Sequence, residues 1–288
     1  MDALYHAVLA GLAAAGAVAV VAAAADVGNV PKPAAKVEAA LPDSSDAARG
    51  LDLSALDLRL LYEADFSKPL KFIKEDDLFC AGKRARRPEG ADWVLEGKAQ
   101  AAVEGGRLRL KNDPDHLVFW NTRDFPSDFL LEFGVSPADS TCGLAIVFFA
   151  AKGLKGESIF DLDQPRRDGV FTNYTNGAID SYHASYWATS EKGEARGTAH
   201  IRKNHDFHLV AMGKDFMAGQ GAGPHRVRVL KIGGRIRVET NGKISVAWED
   251  DGKTFGPVLK DGLIGLRQMS YSKECSYTHF KVWGAHGR

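Results

Sequence analysis

Side chains that could hold a hydroxylated ligand are concentrated between Tyr182 and His208, a stretch with four of the nine histidines of the chain. Both ends of this stretch resemble strands, and alternate residues of a strand share one face. The expected members of these faces are His183, Ser185 and Trp187 on one strand and Arg202, Asn204, Asp206 and His208 on the other. Side by side, the two faces would form a polar, aromatic-lined patch that suits a hydroxylated, anionic ligand.

Cationic and amide groups of the second strand suit a carboxylate. An arginine offers a planar pair of donors to a carboxylate, and an asparagine adds a directional hydrogen bond. We therefore expect Arg202, Lys203 and Asn204 to bind the carboxylate of a uronic acid, where they would also stabilise the charge that develops during β-elimination. A strand edge with solvated charges is the structural alternative for the same residues.

The same patch contains groups that could move a proton or stack on a sugar ring. β-Elimination needs a base for the C5 proton of the uronate and an acid for the leaving oxygen. The candidate base is His183 or His208, the candidate acid is Tyr186, and the candidate stacking platform is Trp187. The alternative is that the tyrosine and the tryptophan belong to the core, where a neighbouring histidine would still need a hydrogen-bond partner.

Five residues elsewhere complete the expected substrate contacts. Two strand ends and the loop before the first polar strand contribute Trp120, Asn176, Asp180, Arg267 and Gln268. Core packing, a structural arginine or ordinary loop structure is the alternative role for each of them.

A polysaccharide lyase that cleaves a uronic-acid polymer by β-elimination is the function that these residue types favour. A glycoside hydrolase on the same scaffold is the first alternative, but hydrolysis usually needs two carboxylates beside the scissile bond. The patch offers only Asp180 and Asp206 nearby. A non-catalytic, lectin-like carbohydrate-binding domain is the second alternative. In each case the expected partner is a polysaccharide or oligosaccharide.

Charge composition argues against other classes of partner. The 288 residues include 37 Lys+Arg and 37 Asp+Glu, so the formal net charge is zero. Nucleic-acid binders usually carry an excess of basic charge. We therefore expect neither nucleic-acid binding nor a polybasic membrane association.

No cofactor is expected from the sequence. Asp161, Asp163 and Asp168 suggest calcium, but their spacing does not match an EF-hand loop, and a solvated loop is favoured. The three cysteines are far apart and form no C-x-x-C pair, which argues against a zinc site. An oxidising compartment would allow one disulfide, between Cys80 and Cys275.

The N-terminal region predicts export. Ala7–Ala25 is an unbroken apolar run that ends in small residues, so residues 1–25 are expected to be a signal peptide or a membrane anchor. Residues 26–57, rich in Ala, Pro, Asp and Ser, are expected to be a flexible linker, and residues 58–288 the carbohydrate-active domain. That domain would be periplasmic, secreted or anchored facing outward.

Short strands must position these residues. Apolar and polar residues alternate through Arg226–Trp248, and the turns Gly233-Gly234 and Asn241-Gly242 divide this segment into a predicted three-stranded meander. The other expected strands are Arg107–Leu110, Leu117–Trp120, Phe129–Val135, Leu144–Phe149, Tyr182–Trp187, Phe207–Ala211, Gly262–Arg267 and Tyr277–Val282. Many short strands without long helical periodicity predict an all-β antiparallel sandwich or barrel.

The order of several motifs resembles the YesU-like branch of the concanavalin-A-like jelly rolls. The matching segments are His116–Trp120, Asp124–Pro126, Gly143–Ala151, His183–Trp187, Ile201–Asn204, Phe207–Ala211 and Gly265–Met269. The resemblance covers about residues 58–284. It implies a two-sheet jelly-roll sandwich whose concave sheet carries the ligand groove. It implies little about chemistry, since that family has no assigned function and is associated with the breakdown of pectin-like polysaccharides.

Overall fold

The computed structural model describes residues 51–287. The expected signal peptide or anchor, and the expected linker up to residue 50, lie outside the described residues. Within residues 51–287, no helix has the length and the hydropathy needed to cross a membrane.

The chain folds as a sandwich of two large antiparallel sheets. Its strands are β1 (Leu56–Glu63), β2 (Phe72–Lys74), β3 (Phe79–Cys80), β4 (Lys83–Arg84), β5 (Trp93–Glu96), β6 (Ala99–Glu104), β7 (Arg107–Asn112), β8 (Leu117–Asn121), β9 (Phe129–Pro137), β10 (Gly143–Gly153), β11 (Ile179–Thr189), β12 (Thr198–Asn204), β13 (His208–Lys214), β14 (His225–Ile232), β15 (Arg235–Thr240), β16 (Lys243–Glu249), β17 (Leu263–Gln268) and β18 (Glu274–Gly287). The helical elements are 3-10 turns at Leu53–Ala55, Glu75–Leu78 and Ser270–Ser272 and one short helix, α1 (Thr172–Thr175).

Each large sheet has eight strands. The back sheet has the order β16-β15-β14-β9-β18-β7-β6, with β1 also paired to β18. The front sheet has the order β13-β12-β11-β10-β17-β8-β5-β2, in which β2 and β5 are parallel. Strands β3 and β4 form a separate pair. The sequence prediction of an all-β, antiparallel, two-sheet sandwich is confirmed.

The predicted meander is also confirmed. Strands β14, β15 and β16 pair antiparallel in consecutive order, and two-residue turns connect them. At the second turn Asn241 and Gly242 both have positive φ, at 53° and 77°, as a tight hairpin turn requires. The alternation of the sequence therefore sets the register of this part of the back sheet.

The main core lies between the two sheets. Its buried apolar side chains come from alternate positions of strands in both sheets, for example Phe133 and Val229 in the back sheet and Val147 and Ile201 in the front sheet. Burial of such side chains contributes roughly 25 cal/mol for each Å² of apolar surface removed from water, and this is the main source of stability. The other face of the front sheet, here called the outer face, is turned away from this core.

A second apolar cluster covers part of the outer face. Front-sheet side chains such as Val118 and Phe148 pack there against Leu78 of a 3-10 turn and Phe160 of the 154–178 segment. This covering segment connects β10 to β11 and includes α1. One part of the outer face is therefore buried, and its polar side chains must find partners there.

The folded domain begins earlier than the sequence indicated. Residues 51–57, assigned to the linker, contain a 3-10 turn and the start of β1. Leu51 is buried and packs with Leu130 and Leu230. The linker prediction was wrong for these residues because one buried leucine in a polar context gives no periodic signal.

All three cysteines of the described residues are free. Cys275 lies inside the main core, whereas Cys80 is exposed in β3. The Cys80–Cys275 disulfide is therefore not formed.

A buried ion pair closes one end of the sandwich and corrects the prediction for Lys203. The Lys203 ammonium donates to an Asp250 carboxylate oxygen at 2.7 Å and to the carbonyl oxygens of Gly256 and Pro257. The same carboxylate oxygen accepts a hydrogen bond from the Tyr182 hydroxyl. Lys203 points into the sandwich, away from the outer face, and cannot contact a ligand there.

We predict that Asp250→Asn lowers the free energy of unfolding by about 3 kcal/mol, because it leaves the buried Lys203 ammonium without its counter-charge. Urea denaturation measures this change. The control is the double variant Lys203→Met/Asp250→Leu, which removes both charges and should recover most of the loss. An Asp250→Asn protein as stable as the wild type would contradict this role of the ion pair.

Candidate functional site

Two cross-strand rows of side chains define the outer face. Residues that are directly paired in neighbouring strands share a face. The first row runs across β12, β11, β10, β17 and β8 as Arg202, His183, Phe148, Gly265 and Trp120. The second row runs across the same strands as His200, Ser185, Ile146, Arg267 and Val118. Polar groups therefore concentrate at the β11–β12 end of both rows.

Of the predicted site residues, the outer face brings together His183, Arg202, Asn204, Arg267 and Trp120. Asn204 follows Arg202 on β12 at the next outward position and pairs with Ser181. All of these side chains are buried, with Arg202 the most exposed at 8%. The 154–178 segment and the 205–207 turn cover these side chains, whereas the sequence analysis expected a patch that a ligand could contact directly.

Neither Tyr186 nor Trp187 lies on this face, and a β-bulge is the reason for Trp187. The pairing of β10 with β11 shifts between Ser185 and Trp187, so one extra residue is accommodated and the alternation is reset. Both aromatic side chains lie in the main core. The predictions of Tyr186 as the acid and Trp187 as the stacking platform were wrong, because alternation from His183 places Tyr186 on the inward face and the bulge turns Trp187 inwards as well.

Gln268 and His208 also point away from the outer face. Gln268 donates to the Leu110 carbonyl oxygen in the back sheet, so its side chain lies between the sheets. His208 pairs with the inward-pointing Lys203 and contacts the Phe255 ring at 4.9 Å. Neither residue can play the role that the sequence suggested for it.

Asn176 and Asp180 lie beyond the end of β12, apart from the arginines. Asp180 accepts a hydrogen bond from the backbone of His205, and burial raises the pKa of Asp180. Asn176 is exposed and accepts from the Thr175 hydroxyl. The structure gives neither residue a contact with His183 or an outer-face arginine.

A turn with strained backbone holds Arg202. Asp206 and Phe207 have φ values of 68° and 55°, in the left-handed region that a bulky residue adopts at a cost of about 1 kcal/mol or more. This turn places the Phe207 carbonyl oxygen 3.0 Å from Nη1 of Arg202 and the Phe207 ring centroid 3.9 Å from its Cζ. Arg202 has no carboxylate partner among the described residues, and burial lowers its pKa to about 10.

Asn204 fixes the orientation of His183. Its side-chain amide lies 3.1 Å from Nδ1 of His183 and 2.9 Å from the Ser181 hydroxyl oxygen. With the amide nitrogen donating to both, the His183 ring carries its proton on Nε2. Burial, together with the nearby charges of Arg202 and Arg267, lowers the pKa of His183 well below its usual value. His183 is therefore a neutral hydrogen-bonding group at neutral pH.

Two further histidines, which the sequence analysis did not select, belong to the same region. His200 is half-buried beside Ser185, and burial, Arg202 and Arg196 lower its pKa to about 4. His116 accepts a hydrogen bond from the Ser270 backbone, and burial and Arg267 lower its pKa to about 4. In both cases a nearby arginine contributes to the low pKa. The sequence alone does not show that the arginines are near, because strand pairing brings them there.

A buried network joins the outer face to its cover. The Glu96 side chain accepts hydrogen bonds from the Trp120 indole, the Tyr174 hydroxyl and the Arg167 guanidinium. Burial raises the pKa of Glu96 to about 7, although Arg167 opposes this shift. Trp120 is thus a structural residue of this network, and its predicted sugar contact is blocked by the covering segment.

A second buried ion pair anchors the neighbouring 75–84 segment. Arg84 donates to both carboxylate oxygens of Glu75, and both side chains are almost wholly buried. Glu75 also accepts from the backbone of Arg167 at 3.4 Å. The two covering segments therefore hold each other against the front sheet.

The aspartates considered for calcium have other contacts. Asp161 pairs with Arg87 at 2.5 Å, and Asp168 accepts from the Val170 backbone and the Asn173 amide. Asp163 is exposed.

We predict that the protein loses stability as the pH falls from about 6.5 to about 4. A histidine whose pKa is lowered in the folded state binds fewer protons there than in the unfolded chain, so its contribution is present above pH 6.5 and is lost as the pH falls towards the folded pKa. For His200 this slope is at most about 1.4 kcal/mol per pH unit. Thermal unfolding across this range measures it.

The matched variants are His200→Gln, which should flatten the pH dependence, and His286→Gln at an exposed position, which should not. A wild-type melting temperature that stays constant over this pH range would contradict the burial of neutral histidines on the outer face.

Comparisons with known proteins agree with this fold. The family described as "Domain of unknown function (DUF1961)" matches residues 83–282. The "Uncharacterized protein YesU" of Bacillus subtilis (strain 168) is 37% identical over 196 residues, which cover 66% of this chain and 88% of YesU. A Bacillus subtilis structure described as a protein of unknown function with a galectin-like fold matches with a TM-score of 0.63 and 34% identity, over 68% of this chain and 91% of that chain.

More distant structures share the fold alone. Porphyranase B from Zobellia galactanivorans is 8% identical, with a TM-score of 0.50 over 82% of this chain and 97% of that chain. The resemblance to the YesU-like jelly rolls predicted from the sequence motifs is confirmed, and the chain belongs to the DUF1961 family.

Proposed function

We propose that this protein is an extracytoplasmic carbohydrate-active protein that binds an acidic, pectin-like glycan on the outer face of the front sheet and cleaves it by β-elimination. The observation that carries this proposal is the Arg202 guanidinium, buried beside neutral histidines without a carboxylate partner in the described part of the chain. A buried charge without a counter-charge is unfavourable, and a ligand carboxylate would relieve this.

The donors around Arg202 suit a uronate. Arg202 keeps donors free beyond the one directed at Phe207, and a carboxylate can accept two of them at once. His183, whose ring carries its proton on Nε2, lies on the same row in contact with the Phe171 and Phe207 rings, and Ser185 lies on the next row. A carboxylate held by the arginine and ring hydroxyls held by these smaller groups would together orient one sugar.

His200 is the group best placed to act as the base. It pairs with Ser185 and lies on the same face of β12 as Arg202. Its side chain is half-buried, whereas His183 and Arg202 are buried. Burial is the main cause of the low pKa of His200 and the charge of Arg202 adds to it, so a carboxylate that neutralises Arg202 would raise that pKa. Substrate binding would therefore strengthen the base at the moment when it is needed.

The elimination then follows from these positions. His200 takes the C5 proton, the electron pair of the C5–H bond becomes the C4=C5 double bond, and the C4–O4 bond breaks. The leaving oxygen receives a proton from the protonated His200 or from water. Arg202 stabilises the charge that develops on the carboxylate during this step.

Binding without cleavage is the second candidate function. The observation that favours it is the low pKa of the outer-face histidines, since neutral imidazoles far from their pKa act as hydrogen-bonding groups and only weakly as bases. A lectin-like domain would use the same contacts to Arg202 and His183.

Hydrolysis is less well supported. A hydrolase usually needs two free carboxyl groups beside the bond. On the outer face Glu96 is committed to three partners, and Asp180 accepts from a backbone amide beyond the strand end.

We predict that Arg202→Ala abolishes binding of polygalacturonate and lowers its cleavage by at least about a hundredfold. His200→Asn should lower cleavage to a similar degree and leave binding within about twofold of the wild type. The substrates are a panel of pectic and other uronate polymers. Cleavage is measured by the ultraviolet absorbance of unsaturated uronate and by the number of reducing ends, and binding is measured by titration calorimetry. The matched control is His208→Asn, on the same sheet but pointing away.

Each outcome separates the candidates. Reducing ends without absorbance indicate hydrolysis, and binding without either signal indicates the lectin-like function. If no acidic polymer binds to the wild type, or if Arg202→Ala binds as well as the wild type, the proposed site is wrong.

A further inference from the structure

Arg267 is a buried cation without an oxygen acceptor. Its side chain is 0% exposed, and Nε and Nη1 have no hydrogen-bond partner among residues 51–287. Nη2 donates only to the sulfur of Met269, at 3.8 Å. The Cζ of Arg267 lies 4.7 and 5.1 Å from the ring centroids of Phe171 and Tyr174. The charge of Glu96 partly opposes the effect of burial, but no oxygen accepts from Nε or Nη1.

The other buried arginines do not share this property. Arg84 and Arg167 each donate to a buried carboxylate, of Glu75 and Glu96 respectively. Arg237 donates to a backbone carbonyl oxygen and pairs with a glutamate. The fold therefore supplies acceptors to buried arginines elsewhere, and Arg267 is the exception among these four.

Aromatic rings separate Arg267 from Arg202. The Cζ of Arg267 lies 4.7 Å from the Phe171 ring centroid, which lies 5.2 Å from the Phe207 centroid. The Phe207 ring in turn covers Arg202. The centroid of the His183 ring lies 6.0 Å from that of Phe171 and 5.7 Å from that of Phe207. The two unpaired guanidinium groups thus stand at opposite ends of one Phe171–Phe207 pair.

Phe171 is the part of this arrangement whose side chain no hydrogen bond fixes. The neighbouring Tyr174 is fixed by its hydroxyl, which donates to Glu96 and accepts from the Gly169 backbone. Phe171 is half-buried and follows Val170, which is 50% exposed. Its side chain is held by packing against the second apolar cluster, by the His183 and Phe207 rings and by Arg267, and an outward turn of the ring would leave the hydrogen bonds of the covering segment in place.

The space around Arg267 is closed in the ligand-free chain. One surface cleft of about 480 Å³ is lined by residues drawn from 74–114, and another of about 430 Å³ by residues drawn from 66–106. Arg267 lines neither of them. A ligand must therefore displace a side chain to reach it, and Phe171 stands between the two arginines.

We propose that Arg267 is a second carboxylate subsite, gated by Phe171, so that the preferred ligand is a glycan chain with at least two carboxylates. This inference rests on the proposed function, in which Arg202 holds the first carboxylate. When the Phe171 ring turns away, the free Nε and Nη1 groups donate to the second carboxylate, and the buried charge gains its counter-charge.

The test compares the full chain with Arg267→Met, Arg202→Met and Phe171→Ala, and uses Arg109→Met on the back sheet as the control for lost charge. The probes are galacturonate, tetragalacturonate and the fully methyl-esterified tetramer. Titration calorimetry gives the affinity of each variant, and thermal unfolding without ligand gives its stability.

We expect Arg267→Met to weaken tetragalacturonate binding by about tenfold or more, the loss of one strong ionic contact. Its affinity for the monomer, which occupies the Arg202 subsite, should stay within about twofold. Without ligand, Arg267→Met should melt higher than the wild type, because it removes an unpaired buried charge. Phe171→Ala should bind the tetramer more tightly than the wild type, because no ring has to turn away first, and the methyl ester should bind to none of the proteins.

Contrary outcomes distinguish the two proposals. Unchanged tetramer affinity in Arg267→Met, with the affinity lost in Arg202→Met, overturns the second subsite and leaves the proposed function intact. A lower melting temperature for Arg267→Met shows a structural arginine and also overturns the inference. Absence of tetramer binding to the wild type overturns the proposed function together with the inference.

Discussion

The Glu96 side chain is the contact on which the outer face of this sandwich depends. It lies on β5 and accepts hydrogen bonds from Trp120 of the sheet below and from Arg167 and Tyr174 of the segment above. Through these contacts the 154–178 segment lies over one part of the sheet and brings Phe171 against His183. A buried acidic group is stable only when its hydrogen bonds are satisfied, so the cover and the sheet require each other. The polar residues of β11 and β12 lie next to this covered part of the sheet.

Charge is distributed unequally across this face. Arg84 and Arg167 each have a carboxylate partner, Glu75 and Glu96 respectively. Arg202 and Arg267 have none within residues 51–287, and the nearby histidines are kept neutral by burial and by these same cations. The result is a positive, partly dehydrated surface in which a carboxylate would be bound strongly, since electrostatic attraction increases as water is excluded. This unequal distribution is the physical basis of the proposed uronate specificity.

Much of the fold could be predicted from the sequence, because strand alternation and turn residues act locally. The β14–β16 meander has the expected turns, and His183, Arg202 and Asn204 share one face as the alternation indicates. The failures have local causes that alternation does not express. A bulge after Ser185 turns Trp187 into the core, and the left-handed turn before β13 places His208 on the side of Lys203. The sequence analysis did not select His200, His116 or Glu96, because their pKa values and hydrogen bonds depend on neighbours that are distant in sequence.

The central claim is that the outer face of the front sheet binds a carboxylate at Arg202. A crystal structure of the protein with a bound uronate oligomer tests it most directly. The account predicts a carboxylate within hydrogen-bond distance of the Arg202 guanidinium, with the sugar ring beside His183 and His200. An oligomer bound at another surface, with Arg202 still contacting only Phe207, would contradict it.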